Sequence, residues 1–409
     1  MMLKTSLYFS ANGFFIRHLH SIKGSLGIFL LFLSLSGCIK VDNVGQGKSF
    51  VKFYGQGSGI DVKQTSDGGY VVIGNVSTAN RGTDIFLVRT DQYGNQLWSP
   101  KFYGSTSNDS CFSFQITPDG GYVIAGSTDT IVNGIPTTSI YVIKTNITGD
   151  IEWTKTIGGI EKDVAYFVQL DGAGGYIVSG YTENLGSINK DAFLLNLDQN
   201  GNINWVRTYG GGLINLAKCV QVTSEGYILI GSTQITAQST TNILVIKTNT
   251  LGLIEQIAKI GGNDNITGEY IQVLPDGSYL GLGTRLASGS SNSDIYLFKL
   301  DNNINNMIWS QEYGGSVVNN EGKSVQLTSD SDYIIGGTHQ NPDNSSSFYL
   351  IKTDNAGNIL FSNYYGEGGL LSTSNLVQTT DNGFIIAGTN NVQGYEVITL
   401  IKVGPDGKL

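Results

Sequence analysis

The sequence is short of most groups on which enzyme chemistry rests. It has three histidines, three cysteines and six prolines in 409 residues, and charged side chains make up 14%, well below the usual quarter. His18 and His20 fall in an N-terminal segment read below as an export signal, which leaves His339. One histidine excludes multi-histidine metal sites and allows a single histidine-dependent dyad at most. No Gly-x-Ser-x-Gly elbow is present. Gly322-Lys323-Ser324 hints at a phosphate loop, but the glycine required five positions earlier is Val317, so the cradle is missing. Bases are scarce too. The formal charge is −9, and residues 1–37 carry Lys4, Arg17 and Lys23 with no acid, so the remainder has 21 bases against 33 acids, or −12. A surface this acidic repels phosphate backbones, which argues against nucleic acid as a partner. Long apolar runs are missing apart from Leu26–Leu33, too short for a membrane span of about 20 residues.

What is abundant is glycine, at 55 residues, with much Asn, Ser and Thr and 40% hydrophobic residues. That is the profile of strands and turns with enough apolar surface for a core. The dominant feature is repetition. An aromatic followed four positions later by glycine occurs at Tyr70/Gly74, Tyr122/Gly126, Tyr176/Gly180, Tyr227/Gly231, Tyr279/Gly283, Tyr333/Gly337 and Phe384/Gly388, at steps of 52, 54, 51, 52, 54 and 51. Arg89, Lys144, Asn196, Lys247, Lys299, Lys352 and Lys402 each end an apolar run, and a Tyr-Gly or Ile-Gly pair closes each unit, from Tyr54-Gly55 to Tyr365-Gly366.

Each unit reads as four strands, a to d. Strand a ends near Gln64, Gln115, Gln169, Gln221, Gln272, Gln326 or Gln378. The turn Ser66-Asp67-Gly68-Gly69 leads to strand b at Tyr70–Gly74. A polar loop leads to strand c at Asp84–Thr90, and Asp91–Asn95 turns into strand d, Leu97 to Tyr103. Strands b and c are short, continuous apolar runs, the pattern of strands buried on both faces. In a propeller such strands are sandwiched between neighbouring blades. A strand of the d type, Phe50–Gly55, precedes any strand a, and the last unit stops at its c–d turn, Gly404–Leu409. The surplus in front matches the deficit behind. The spacing therefore predicts an all-β, seven-bladed β-propeller over 49–409, closed by the N-terminal strand completing the last blade. An open stack would need capping repeats.

A basic stretch, the apolar run and then Leu35-Ser36-Gly37-Cys38 describe a secretory signal. Leu-Ser-Gly-Cys resembles a bacterial lipobox. The resemblance implies a signal peptide over 1–37, cleavage before Cys38, acylation of its sulfur, and a tether over 38–48. The acyl chains would anchor the protein firmly, at about 0.8 kcal/mol per buried CH₂. Asp-Gly-Gly-Tyr-Val-Ile-Ala-Gly-Ser-Thr (119–128), Leu-Ile-Lys-Thr-Asp (350–354) and Gly-Asn-Ile-Asn-Trp-Val-Arg-Thr-Tyr-Gly-Gly (201–211) resemble a group of bacterial propeller-repeat proteins. They are common among secreted proteins and lipoproteins of Bacteroidota. The resemblance implies an outer-membrane or cell-surface location and carries little about activity. The stretches from Asp91 to Trp98, Asn146 to Trp153 and Asp198 to Trp205 also resemble loosely the docking motif of quinoprotein dehydrogenases, and sialidase-type propellers carry a box at the same place. In both the aromatic braces the next blade. Here it reads Trp98, Trp153, Trp205, Gln256, Trp309, Phe361 and Phe50.

Residues that recur in every blade read as framework. The basic position of strand c is expected to snorkel over strand d or to pair with nearby turn carboxylates. Cys111 and Cys219 lie in different repeats and read as buried small hydrophobes. Asp84, Asp109, Asp163, Asp191 and Asp294 sit at loop–strand junctions, where partial recurrence points to turn capping over paired glycosidic acid/base work. A sialidase mechanism would need three clustered arginines, and beyond residue 38 the chain holds only Arg81, Arg89, Arg207 and Arg285, two of them in the framework. No catalytic residue and no cofactor is assigned. Asp, Asn and backbone oxygens are plentiful enough for calcium, but no EF-type loop supports such a site. The long b–c and d–a connections gather on one face. Several carry apolar residues that a solvated loop does not need, among them Leu213, Ile214, Leu370 and Leu371. The candidate binding surface is Arg81, Ile131, Val132, Ile135, Tyr181, Leu185, Arg285 and His339, the last placed in a polar b–c loop. The reading is a monomeric, membrane-anchored envelope lipoprotein with a non-enzymatic scaffold that takes a protein or polysaccharide partner. A carbohydrate-active propeller enzyme and a purely structural surface protein are the alternatives.

Overall fold

The computed structural model describes residues 49–409, apart from 79–81, 186–188, 238, 316–317 and 344 and the side chains of 367–371. Cys38, Arg81 and the whole signal and tether therefore lie outside the described residues, as do the side chains of Leu370 and Leu371. Among the described residues every regular element is a strand. No helix there is long and apolar enough to cross a membrane.

The strands form seven four-stranded antiparallel blades. In the first, strand a is Ser58–Gln64, b is Tyr70–Thr78, c is Gly82–Thr90 and d is Lys101–Tyr103. Blades 6 and 7 share the continuous strand Ile359–Gln378, which is d of one and a of the next. The N-terminal strand Phe50–Gln56 pairs antiparallel with Tyr395–Val403, setting Phe50 against Lys402 and Phe53 against Thr399, and so completes blade 7. The a strands sit innermost, each packed on the preceding blade, and blade 1 packs on blade 7 in the same way. Ser374 Oγ donates to Gly59 O at 2.7 Å, Thr380 N donates to Gln64 Oε1 at 2.8 Å, and Asn375 bonds Asp61 across the closure.

Each sequence landmark now has a physical role. The strand-b glycine lets the bulged strand a of its own blade approach: a Cβ on Gly126, Gly180 or Gly231 would meet Ser110 O, Val164 O or Leu216 O at 1.8–1.9 Å. Where strand a itself has a glycine, the neighbouring blade comes close, Gly388 O at 2.4 Å from a Cβ on Gly59 and Gly231 O at 2.6 Å from one on Gly268. Glutamines of strand a bridge the inner strands, as in Val222 N to Gln169 Oε1 at 3.0 Å and Leu327 N to Gln272 Oε1 at 2.7 Å. The closing tyrosine is a latch: the hydroxyls of Tyr54, Tyr103, Tyr209 and Tyr313 donate to the c–d turn carbonyls of Gly94, Gly149, Gly252 and Gly357 in the next blade, at 2.7–2.8 Å, and Tyr365 does so to Gly407. The base of strand c pairs with a carboxylate of the a–b turn in its own blade. Lys144 holds Asp119 at 2.8 Å, Lys299 holds Asp276 at 2.9 Å and Lys402 holds Asp381 at 3.0 Å.

The aromatic of strand d lies over the turn glycine of the next blade. A Cβ on Gly94, Gly201 or Gly252 would come within 2.8 Å of Phe50, Trp153 or Trp205. One seam departs from this. Blade 4 has Gln256 in place of the tryptophan, and the facing turn of blade 5 has Ile304 in place of the glycine, buried at 2% exposure with φ +52°. The tryptophan and the turn glycine are thus both replaced at one seam.

Three expectations need correction. Strand d of blade 1 does not start at Leu97. Its ladder covers only Lys101–Tyr103, because Pro100 has no N–H to donate. Strands b run further than the apolar runs suggest, so His339 lies in strand Tyr333–Gln340, not in a loop; Arg285 lies in strand Tyr279–Leu286. Strands b and c of blade 2 extend to Val132 and Ile135 as one long hairpin, turned by Asn133 and Gly134, both at positive φ, the geometry a two-residue turn demands.

Candidate functional site

The innermost strands carry a feature that the repeat pattern hides. Every strand a has a β-bulge at the same place, which leaves Ile60, Phe112, Tyr166, Lys218, Glu269, Lys323 and Ser374 out of the ladder. A bulge re-aims its extra side chain. The preceding position is small in every blade (Gly, Cys, Ala or Thr), and the position two further on is buried and apolar, from Val62 and Phe114 to Leu376. The framework is thus constant on both sides of a column that differs in nearly every blade.

Phe112, Tyr166, Lys218, Glu269 and Lys323 come together round the axis, toward the end of the channel where the d–a and b–c connections lie. Phe112 packs edge-on to Tyr166 at 5.3 Å, and Tyr166 lies 5.8 Å from Tyr181. Lys218 Nζ sits 3.6 Å from the centre of the Tyr166 ring and Lys190 Nζ 4.3 Å from that of Tyr181. Lys323 pairs with Glu321 at 2.9 Å, and Lys190 with Glu183 at 3.4 Å. Burial lowers the Lys218 pKa, offset in part by Glu269 and reinforced by Lys323. Burial acts on Lys323 in the same sense but is outweighed by Glu269 and Glu321, so its pKa is raised. Burial also raises the Tyr166 hydroxyl. One step along the strands the channel is filled. Phe167 and Tyr270, from blades 3 and 5, meet edge to face at 5.9 Å, and Asp61 is buried, accepting from Val62 N at 2.7 Å and Phe114 N at 3.3 Å. The mouth is aromatic on one side, charged on the other, and closed beneath.

Of the surface expected from sequence, only Tyr181 joins this group. Ile131 and Ile135, at 73% and 48% exposure, and half-buried Val132 form the apolar tip of the blade 2 hairpin. Leu185 is half-buried. Arg285 is held between Asp264, at 2.7 Å, and Glu312. His339 lies tilted against Tyr364, ring centres 4.5 Å apart, and bonds Asn320 Oδ1 through Nδ1 at 2.6 Å; burial lowers its pKa. Leu213 lines a shallow groove of about 450 Å³ between blades 3 and 4 with Asp191 and Ile235. Cys111 and Cys219 are unpaired and buried, which pushes both thiols up. Asp109, Asp163 and Asp294 cap turns, accepting from Ser105 N, Gly159 N and Gly315 N. Among the described residues no cluster of His, Cys, Asp and Glu could hold a metal ion.

The residues missed were Phe112, Tyr166, Lys218, Glu269 and Lys323. They were readable as one column, ten positions before the aromatic landmark in every unit but the fourth, where the offset is nine.

The fold defines the class: a seven-bladed β-propeller. No family model and no curated protein matches the chain. Solved structures similar to it include YCF48 bound to D1 peptide, at 8% identity and TM-score 0.50 over 87% of this chain and 94% of that one. The WD40 domain of Toxoplasma gondii coronin matches at 9% identity and 0.49, over 90% of each chain. A quinohemoprotein alcohol dehydrogenase of Pseudomonas putida matches at 9% and 0.48, over 84% of this chain, which spans 66% of the dehydrogenase. At such identities the likeness is one of fold alone.

Proposed function

We propose that this chain is a cell-envelope lipoprotein, anchored through Cys38, whose propeller is a non-enzymatic binding scaffold that takes a protein or glycan partner at the channel mouth. One observation carries the reading: seven identically placed bulges present a column of differing side chains on a framework that otherwise repeats. Bulges cluster where a sheet re-aims side chains for function, and function belongs on what varies. The charged groups there pair with one another or rest on aromatic faces, an arrangement suited to recognition. Among the described residues, none of the side chains named at the mouth is a histidine.

Two experiments test this. In the native host, Cys38→Ser should move the protein from the membrane to the soluble fraction; retention in the membrane would refute the anchor. The full chain, presented to a glycan array and to envelope proteins, should bind a partner that Tyr166→Ala releases. Turnover of glycosidase substrates, lost on changing a single carboxylate of the mouth, would replace the scaffold reading by an enzymatic one.

A further inference from the structure

The charges at the channel mouth are unequally provided for. Lys323 has Glu321 at 2.9 Å and Lys190 has Glu183 at 3.4 Å. Lys218 has no carboxylate within 4 Å among the described residues, and its ammonium rests on the Tyr166 ring. A partly desolvated ammonium without an anion is costly to keep, and a cation–π contact returns only about 0.5–2 kcal/mol. Glu269, on the neighbouring blade, attracts Lys218 from beyond ion-pair distance and also acts on Lys323. An incoming anion thus meets a lysine already held in place, whose rotamer entropy is largely spent.

The rest of the rim narrows the class of ligand. Phe112, 37% exposed and braced edge-on by Tyr166, offers an apolar surface on the same tyrosine that carries Lys218. Glu269, on the same ring of bulges, offers carboxylate oxygens that can accept from hydroxyls. An anion, an apolar face and several hydroxyls on one compact unit describe a sugar carrying a carboxylate. We infer that the channel mouth binds an acidic oligosaccharide of the uronate type, its carboxylate received by Lys218 and one ring face set against Phe112. This rests on the scaffold reading above and names the ligand class for that site.

The test is calorimetric titration of the full-length, detergent-solubilised protein. The probes are oligosaccharides of galacturonate, glucuronate and mannuronate, neutral malto-oligosaccharides of equal length, and a short peptide in free-acid and C-terminally amidated forms. At least one uronate series should bind about tenfold or more tightly than its neutral counterpart, the discrimination expected of one charge-assisted hydrogen bond. Lys218→Met should erase that preference and Lys218→Arg should keep it, with both melting temperatures near that of the parent. Equal binding of neutral and acidic sugars, or an undiminished preference in Lys218→Met, would overturn the inference and leave a binding scaffold standing. Peptide binding that needs the free carboxylate, with no uronate binding, would overturn it in favour of a protein partner. If no uronate binds and Tyr166→Ala releases no captured partner, both readings fail.

Discussion

The seam between blades 4 and 5 offers a sharp test of how the ring is held. At other seams an aromatic of strand d covers a turn glycine at positive φ, as Trp153 covers Gly201 and Trp205 covers Gly252. Here Gln256 faces a turn built on Ile304, buried at φ +52°. A β-branched residue in that region costs about 1–3 kcal/mol of backbone strain. Its buried side chain returns more, since truncating isoleucine costs about 2–5 kcal/mol. Ile304→Gly alone should therefore destabilise the protein by about 1–3 kcal/mol. Gln256→Trp alone pushes a ring into occupied space, an overpacking cost of about 1–3 kcal/mol. The double variant restores the arrangement of the other seams, and its loss should be at least about 2 kcal/mol smaller than the two single losses combined. Denaturant unfolding of the four proteins measures the coupling directly. Additivity within about 0.5 kcal/mol would refute the compensation and the alignment of turns beneath it.

The remaining predictions concern closure, the latches and pH. Deleting residues 49–55 removes the buried side chains of Phe50 and Tyr54, each worth about 3–5 kcal/mol; against a typical total of about 5–15 kcal/mol the ring should open or unfold, and an unchanged melting curve would contradict closure. Tyr103→Phe removes a 2.7 Å bond to Gly149 O and should cost about 1 kcal/mol, whereas Ile157, which lacks the latch, should accept Val at about 0.5–1.5 kcal/mol. Burial would raise the Asp119 carboxyl, but Lys144 and Thr117 outweigh it and hold its pKa at about 2 against an ordinary 3.8; Ser278 and Lys299 hold Asp276 at about 2. Folded values below the unfolded ones add stability that is full above about pH 4 and lost as pH falls toward 2. Both carboxylates are more than half exposed, so solvent screening limits each to about 0.5–1 kcal/mol. Asp119→Asn should flatten the acid limb of the stability profile, and an identical profile would discount the pair.

The architecture was legible because a propeller writes its plan into local spacing. Tyr70, Gly74, Arg89 and Tyr54 each recur because every blade and every seam repeats the same demands: room for a backbone and a partner for a turn acid within the blade, a hydroxyl for a turn carbonyl across the seam. Even closure could be read, since Phe50–Gly55 is a strand without a unit and Gly404–Leu409 a unit without a strand. Other features depend on contacts that no local rule states. The polar residues round His339 point to a loop, while the ladder with Ser347 carries strand b past it. Lys218 reads as one more lysine near a β-branched run. It takes a bulge to turn it inward, Tyr166 from the neighbouring blade to hold it, and the closed ring to bring Phe112, Glu269 and Lys323 round one opening. Periodicity alone therefore determined the number of blades and the way they lock, because those interactions repeat with the chain. The character of the channel mouth was decided by the tertiary structure, because its neighbours are about fifty residues apart and meet only when the circle is shut.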